Sequence, residues 1–159
     1  MNRKILFAAG LLLVGGGLFL AIGRGAFNSA SAQEAYAGEP EILAATFASA
    51  WCSSCKILEP RLAKVMPAFR DQPVKFIDLD FTFGKTKAHQ ELAAENGFED
   101  AYERFKSGTG YTLLIDAQTG DVIDVITMNH SAQAMRAAIA QAIAVAAVAP
   151  TETQSSDNP

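Results

Sequence analysis

The chain's two cysteines, Cys52 and Cys55, stand between an apolar run and a segment of helical periodicity. That junction constrains the fold more than any other feature. Ile42-Leu43-Ala44-Ala45-Thr46-Phe47 suits a buried strand, whereas Lys56 to Phe69 carries apolar residues at Ile57, Leu58, Leu62, Val65, Met66 and Phe69, the spacing of one helix face. The cysteines are therefore expected to open a helix that follows a strand. A helix N-terminus presents unpaired backbone N–H groups and the positive end of the macrodipole, and both favour a thiolate. Cys52 is accordingly the expected attacking sulfur, with a pKa drawn from about 8.5 toward the roughly 3.5–7.5 of such sites. Cys55, one turn on and facing the interior, is the expected resolving thiol for a mixed disulfide formed through Cys52.

Other roles for the pair fit less well. No second Cys pair accompanies it, and only His89 and His130 could complete a zinc site. As a structural bridge it would close too short a loop to constrain the unfolded chain much.

The segment Trp51-Cys52-Ser53-Ser54-Cys55-Lys56-Ile57-Leu58-Glu59-Pro60 resembles the active-site motif of the thioredoxin superfamily. The tryptophan before the first cysteine, the lysine after the second and Pro60 at the family's helix-kink position all match. A proline inside a helix costs about 3 kcal/mol, which makes its presence there informative. The resemblance extends over about residues 39–148. It implies an α/β thioredoxin fold: a central mixed sheet flanked by helices, with the redox pair Cys52 and Cys55 at one end. It also implies that Trp51 shields Cys52 and contacts substrate.

The pattern along the chain leads to the same architecture without using the cysteines. Val74–Asp80 alternates and reads as a second strand, parallel to the first through a crossover. Lys85–Asn96 is predicted helical with Gly97 closing it, and Glu99–Lys106 is a further short helix. Tyr111–Asp116 and Val122–Thr127 form a predicted antiparallel hairpin. A last helix spans Ser131–Val148, capped by Asn129 or Ser131. The stretch from Asp80 to Tyr111 exceeds that of compact family members by about fifteen residues, which predicts a helical insertion before the third core strand.

Two departures from the family pattern bear on the site. Where the resemblance calls for a cis-proline before the third strand, the chain has Gly110-Tyr111-Thr112. A cis bond before a non-proline residue costs about 2.5–4 kcal/mol, so a trans bond is expected, with Tyr111 as a substrate-contact residue in a reshaped loop. Thr46 and Phe76 occupy the places of the family's buried aspartate and its lysine partner. Neither is a general base near neutral pH, and Asp78, on the same strand face as Phe76, is the candidate substitute. His130, expected near the cysteines after the last strand, supports a different reading in which Cys52, Cys55 and His130, with Met128 beside it, bind or deliver Cu(I). A redox-inactive interaction domain is the third possibility. His89, on the inserted helix, reads as a surface residue.

Arg3 and Lys4 precede an uncharged run from Ile5 to Gly23, and Ala30-Ser31-Ala32 offers small residues for a signal peptidase. Residues 1–32 thus read as a signal peptide or, since the run approaches the roughly 20 residues of a bilayer span, a retained membrane anchor. Export to a periplasm follows from the positive-inside rule. Without residues 1–32 the chain keeps ten Lys/Arg against seventeen Asp/Glu, a formal charge of −7, which disfavours nucleic acid as a partner. About 127 residues then remain for one modest core, with residues 149–159 as a polar, disordered tail. The expectation is a monomeric, exported thiol:disulfide oxidoreductase, without cofactor, that exchanges disulfides with protein substrates and a redox partner. Reduction is favoured slightly over oxidation.

Overall fold

In the computed structural model, residues 38–148 are described; the expected signal or anchor segment and the C-terminal tail lie outside them. Among the described residues, four strands and four α-helices follow in the order β1 (Ile42–Ala48), α1 (Cys55–Val65), β2 (Val74–Asp80), α2 (Lys87–Glu95), α3 (Glu99–Phe105), β3 (Tyr111–Asp116), β4 (Val122–Thr127) and α4 (Ala132–Ala146). The strands form one sheet in the order β2-β1-β3-β4. β1 runs parallel to β2, pairing Ile42 with Val74 and Ala48 with Asp80, and antiparallel to β3, pairing Phe47 with Tyr111. The β3–β4 pair is antiparallel with an irregularity at Leu114/Ile115. This is the mixed, helix-flanked α/β sheet expected from the sequence pattern.

The central strands β1 and β3 are buried on both faces, which is why they read as nearly continuous apolar runs rather than alternating ones. On one face Ile42, Ala44 and Leu114 pack with Leu58, Leu62 and Val65 of α1 and with Met135 and Ile139 of α4. On the other, Leu43, Ala45, Phe47 and Leu113 pack with Ala93 of α2, Ala101 and Tyr102 of α3, and Phe98 between them. The helical insertion thus roofs a whole sheet face.

Several boundaries differ from the sequence reading, most of them at helix ends. The first helix begins at Cys55, so Cys52 lies in the turn ahead of it rather than within it. The same helix ends at Val65 and continues as a 3₁₀ turn over Met66–Phe69, because Pro67 lacks the N–H that an α-helical bond would use. The second helix starts at Lys87, capped by Thr86, whose hydroxyl accepts the His89 N–H. Ser131 caps α4 by accepting the Ala134 N–H. Among the described residues no helix is long and apolar enough to cross a membrane.

Candidate active site

The cysteine turn sits at the C-terminal end of β1, where the strand leaves the sheet and the chain must reverse into α1. Cys52 and Cys55 are joined as a disulfide, with their Cα atoms 5.3 Å apart. Cys55 is 2% exposed, whereas Cys52 is only partly buried. The expected division into an outer and an inner sulfur is therefore present in the geometry. The Cys55 N–H donates to Cys52 Sγ at 3.1 Å, and Ser54 Oγ lies 3.1 Å from the same sulfur. These are the first-turn donors that a charge on Cys52 would use once the disulfide is reduced. No side chain caps α1.

Trp51 is 80% exposed, and its indole Nε1–H donates to the Thr82 carbonyl at 3.3 Å. Thr82 also holds the backbone beside it, since its Oγ1 accepts the Ala50 N–H at 2.9 Å. The insertion borders the site at its other end as well. Gly110 has φ +98°, and a β-carbon placed on it would lie 2.0 Å from Ser54 Oγ and 3.2 Å from Cys52 Sγ. The chain therefore passes against the outer sulfur at a point where only glycine fits. Its N–H is tied to the Phe47 carbonyl at 2.7 Å.

No cis peptide bond occurs among the described residues, so the bond before Tyr111 is trans, as its residue type requires. Tyr111 is turned into its own loop. Its ring stacks on Phe47 at 5.2 Å and meets Phe105 edge-on, while its hydroxyl donates to the Phe105 and Gly108 carbonyls at 2.5 and 3.1 Å. Burial raises its phenol pKa. This placement makes Tyr111 a clamp on the loop that carries Gly110, not a free group at the sulfurs.

Thr46, in the place of the family's buried aspartate, is itself buried and shares a 2.9 Å hydroxyl–hydroxyl bond with Thr112 across β1 and β3. Asp78 pairs with Thr46 across the β1–β2 ladder, and desolvation raises its pKa even though part of the side chain reaches solvent. Glu59 on α1 is raised too, first by desolvation and then by the negative charges of Asp78 and Asp80. The two β2 carboxylates and Glu59 therefore form one acidic neighbourhood under α1.

His130 is engaged within its own turn: its Nδ1 accepts the Thr127 N–H at 3.1 Å, and its carbonyl and that of Met128 receive Arg61 from α1. Among the described residues no group of three His, Cys, Asp or Glu is arranged to hold a metal ion. No such group containing Cys52, Cys55 and His130, the set that the copper reading needs, is found among them. His89 is not a simple surface residue either. Its ring lies 4.6 Å from that of Phe81, and its Nδ1 is buried without a hydrogen-bond partner.

Sequence reasoning overlooked Ser54, Thr82 and Gly110 as site residues. Gly110 had a visible signal in the Ser107-Gly108-Thr109-Gly110 loop, but nothing local in the sequence shows that Thr82 meets a segment thirty-odd positions upstream.

The family model described as Thioredoxin matches residues 26–95, a span that includes both cysteines. Together with the four-stranded mixed sheet and its flanking helices, this match makes the chain similar to thioredoxin-like proteins over that span. Similar solved structures include a point mutant of a thioredoxin from Halobacterium salinarum, 19% identical with a TM-score of 0.42 over 65% of this chain and 76% of that one. StoA from Bacillus subtilis is 13% identical, with a TM-score of 0.43 over 64% of this chain and 84% of its own. The Malassezia sympodialis thioredoxin Mala s 13 is 20% identical, with a TM-score of 0.42 over 67% and 80%. No curated protein matches the chain.

Proposed function

We propose that the chain is an exported thiol:disulfide oxidoreductase acting on protein disulfides, with Cys52 as nucleophile and Cys55 as resolving thiol. The observation that carries the reading is the asymmetry of the bonded pair: an outer sulfur receiving a backbone N–H, and an inner sulfur 2% exposed. In the reducing direction the Cys52 thiolate attacks one sulfur of a substrate disulfide. An intermolecular S–S bond forms, and the other substrate sulfur leaves as a thiolate that takes up a proton. Cys55 then loses its proton and attacks Cys52 Sγ, which forms the intramolecular disulfide and expels the second substrate sulfur. Two electrons pass from the protein dithiol to the substrate. A donor that reduces Cys52–Cys55 again closes the cycle, and the same steps in reverse oxidise a substrate dithiol.

Trp51, exposed and oriented by Thr82, supplies an apolar surface beside the outer sulfur for the substrate chain. The preference for reduction rests on the Trp-Cys-x-x-Cys-Lys context, and export rests on Arg3, Lys4 and the uncharged run that follows. The test compares single variants in reduction of a protein disulfide. Cys52→Ser should lose activity by at least about a thousandfold, because no thiolate remains at the outer position. Cys55→Ser should accumulate mixed disulfides with substrate, visible on non-reducing gels. Wild-type activity in both variants would sink the reading.

A further inference from the structure

Two residues ahead of the nucleophile, the chain is held by a single side chain from the insertion. Thr82 N–H and Thr82 Oγ1 both reach Asp80 Oδ1, at 2.8 and 2.5 Å. A carboxylate only accepts, so the threonine hydroxyl donates to Asp80 and keeps a lone pair for the Ala50 N–H, 2.9 Å away. The Thr82 carbonyl takes the Trp51 indole N–H. One residue thus fixes the backbone at position 50 and the side chain at position 51, and Cys52 follows immediately. The Phe81 N–H bond to the Ala48 carbonyl, at 2.7 Å, joins the same two segments.

The arrangement is directional. The charge on Asp80 draws the hydroxyl proton and so strengthens Thr82 Oγ1 as an acceptor for Ala50. Trp51 is too exposed for packing to fix its ring, which leaves the bond to Thr82 to orient it. Asp80 is held below its ordinary pKa, first by the Thr82 hydroxyl, then by the Thr82 amide, with a smaller contribution from nearby His89. It therefore carries its charge throughout the neutral range.

We propose that Thr82, polarised by Asp80, is the positioning residue that sets the Ala50–Trp51–Cys52 segment and thereby presents the outer sulfur to substrate. The proposal rests on the thiol–disulfide reading above and adds to it a role for the insertion's first residues. Neither residue touches the reacting sulfurs; both act through the segment that carries Cys52.

The test uses the full chain with Thr82→Val, which keeps the side-chain shape and removes the hydroxyl, Thr82→Ser, which restores it, and Asp80→Asn, which removes only the charge. The readouts are kcat and KM for a protein disulfide, the reduction potential of the cysteine couple, and fluorescence anisotropy of Trp51, the one tryptophan in the chain. Thr82→Val should lower kcat/KM by about tenfold, the order expected for a lost charge-assisted hydrogen bond. It should also lower the Trp51 anisotropy and shift the couple's potential. Thr82→Ser should stay within about twofold of wild type, and Asp80→Asn should move the readouts in the same direction as Thr82→Val by about threefold.

If Thr82→Val does not fold, Asp80→Asn decides alone, since the hydroxyl remains in place. A folded Thr82→Val, or in its absence Asp80→Asn, with unchanged kinetics, potential and anisotropy overturns the positioning role while leaving the oxidoreductase reading intact. A variant that loses thermal stability alone, with those three readouts unmoved, overturns it too. A wild type whose Cys52 exchanges with no disulfide, protein or small-molecule, removes the functional reading and this inference with it.

Discussion

At Gly110 two independent constraints meet. Its φ of +98° disfavours any residue with a β-carbon, and the space that carbon would need is filled by Ser54 Oγ and Cys52 Sγ. Gly84 separates the two effects, because it has φ +88° and nothing within 4 Å of the same added atom. Gly84→Ala should therefore cost only backbone strain, about 1–2 kcal/mol in urea unfolding. Gly110→Ala should cost more, about 3 kcal/mol or above, and should slow disulfide exchange by at least about tenfold as the turn around Cys52 is pushed aside. Equal stability losses in the two variants, with exchange preserved in both, would show that the approach to Cys52 is not a constraint. Tyr111 belongs to the same argument at one remove, since its hydroxyl closes the loop that delivers Gly110 to the sulfur.

Among the elements, the packing of α1 over β2 carries an electrostatic cost. Glu59 on the helix feels the negative charges of Asp78 and Asp80 on the strand, after desolvation, and the pKa values of Glu59 and Asp78 are both raised. A carboxyl group whose folded pKa exceeds its unfolded value binds protons more tightly in the folded state. Stability consequently falls as pH rises from the ordinary carboxylate value through the raised one, and the penalty persists at neutral pH. Asp78→Asn should raise the melting temperature at about pH 7, by about 2 °C once solvent screening of these partly exposed groups is allowed for. The gain should vanish near pH 3, where the wild-type carboxyl is already neutral. Thermal melts of the two proteins across that range decide it; a gain independent of pH would assign the effect to something other than charge. Asp80 contributes in the opposite sense: its depressed pKa gives stability above its unfolded value that is lost as pH falls.

For the whole molecule, the compartment decides where the electrons come from. Disulfide chemistry outside the cytoplasm needs a supply of electrons or of oxidant that the cytoplasm does not provide in the same form. The proposal of export rests on two basic residues ahead of an uncharged run, with further basic residues absent from that run. If the chain is exported as proposed, with Arg3 and Lys4 on the inner side by the positive-inside rule, a reporter fused after residue 38 should be active only when translocated. Cytoplasmic activity of that fusion would remove export from the proposed function without touching the exchange chemistry. Sequencing the N-terminus of the mature protein then separates cleavage near Ala32 from a retained anchor.

Periodicity located β2, β3 and β4 at their observed limits and β1 to within one residue, because strand burial imprints a local pattern that neighbouring residues repeat. The Cys-x-x-Cys pair between strand and helix was legible for the same reason: its chemistry depends on residues three positions apart. Helix ends were less so, as Pro67 and the turn at Cys52 show, since a single missing N–H or a bend changes the bonding without changing the apolar spacing. What the tertiary structure alone decided are contacts between segments far apart in the chain. Sheet register brings Gly110 to Cys52, and the turn after β2 brings Thr82 to Ala50 and Trp51. The same is true of His89 against Phe81, whereas His130 is kept within its own turn by the Thr127 amide. Propensity and spacing act over a few residues, whereas these approaches depend on how strands pair and helices pack, so the chemistry of the pair was written locally and its surroundings were not.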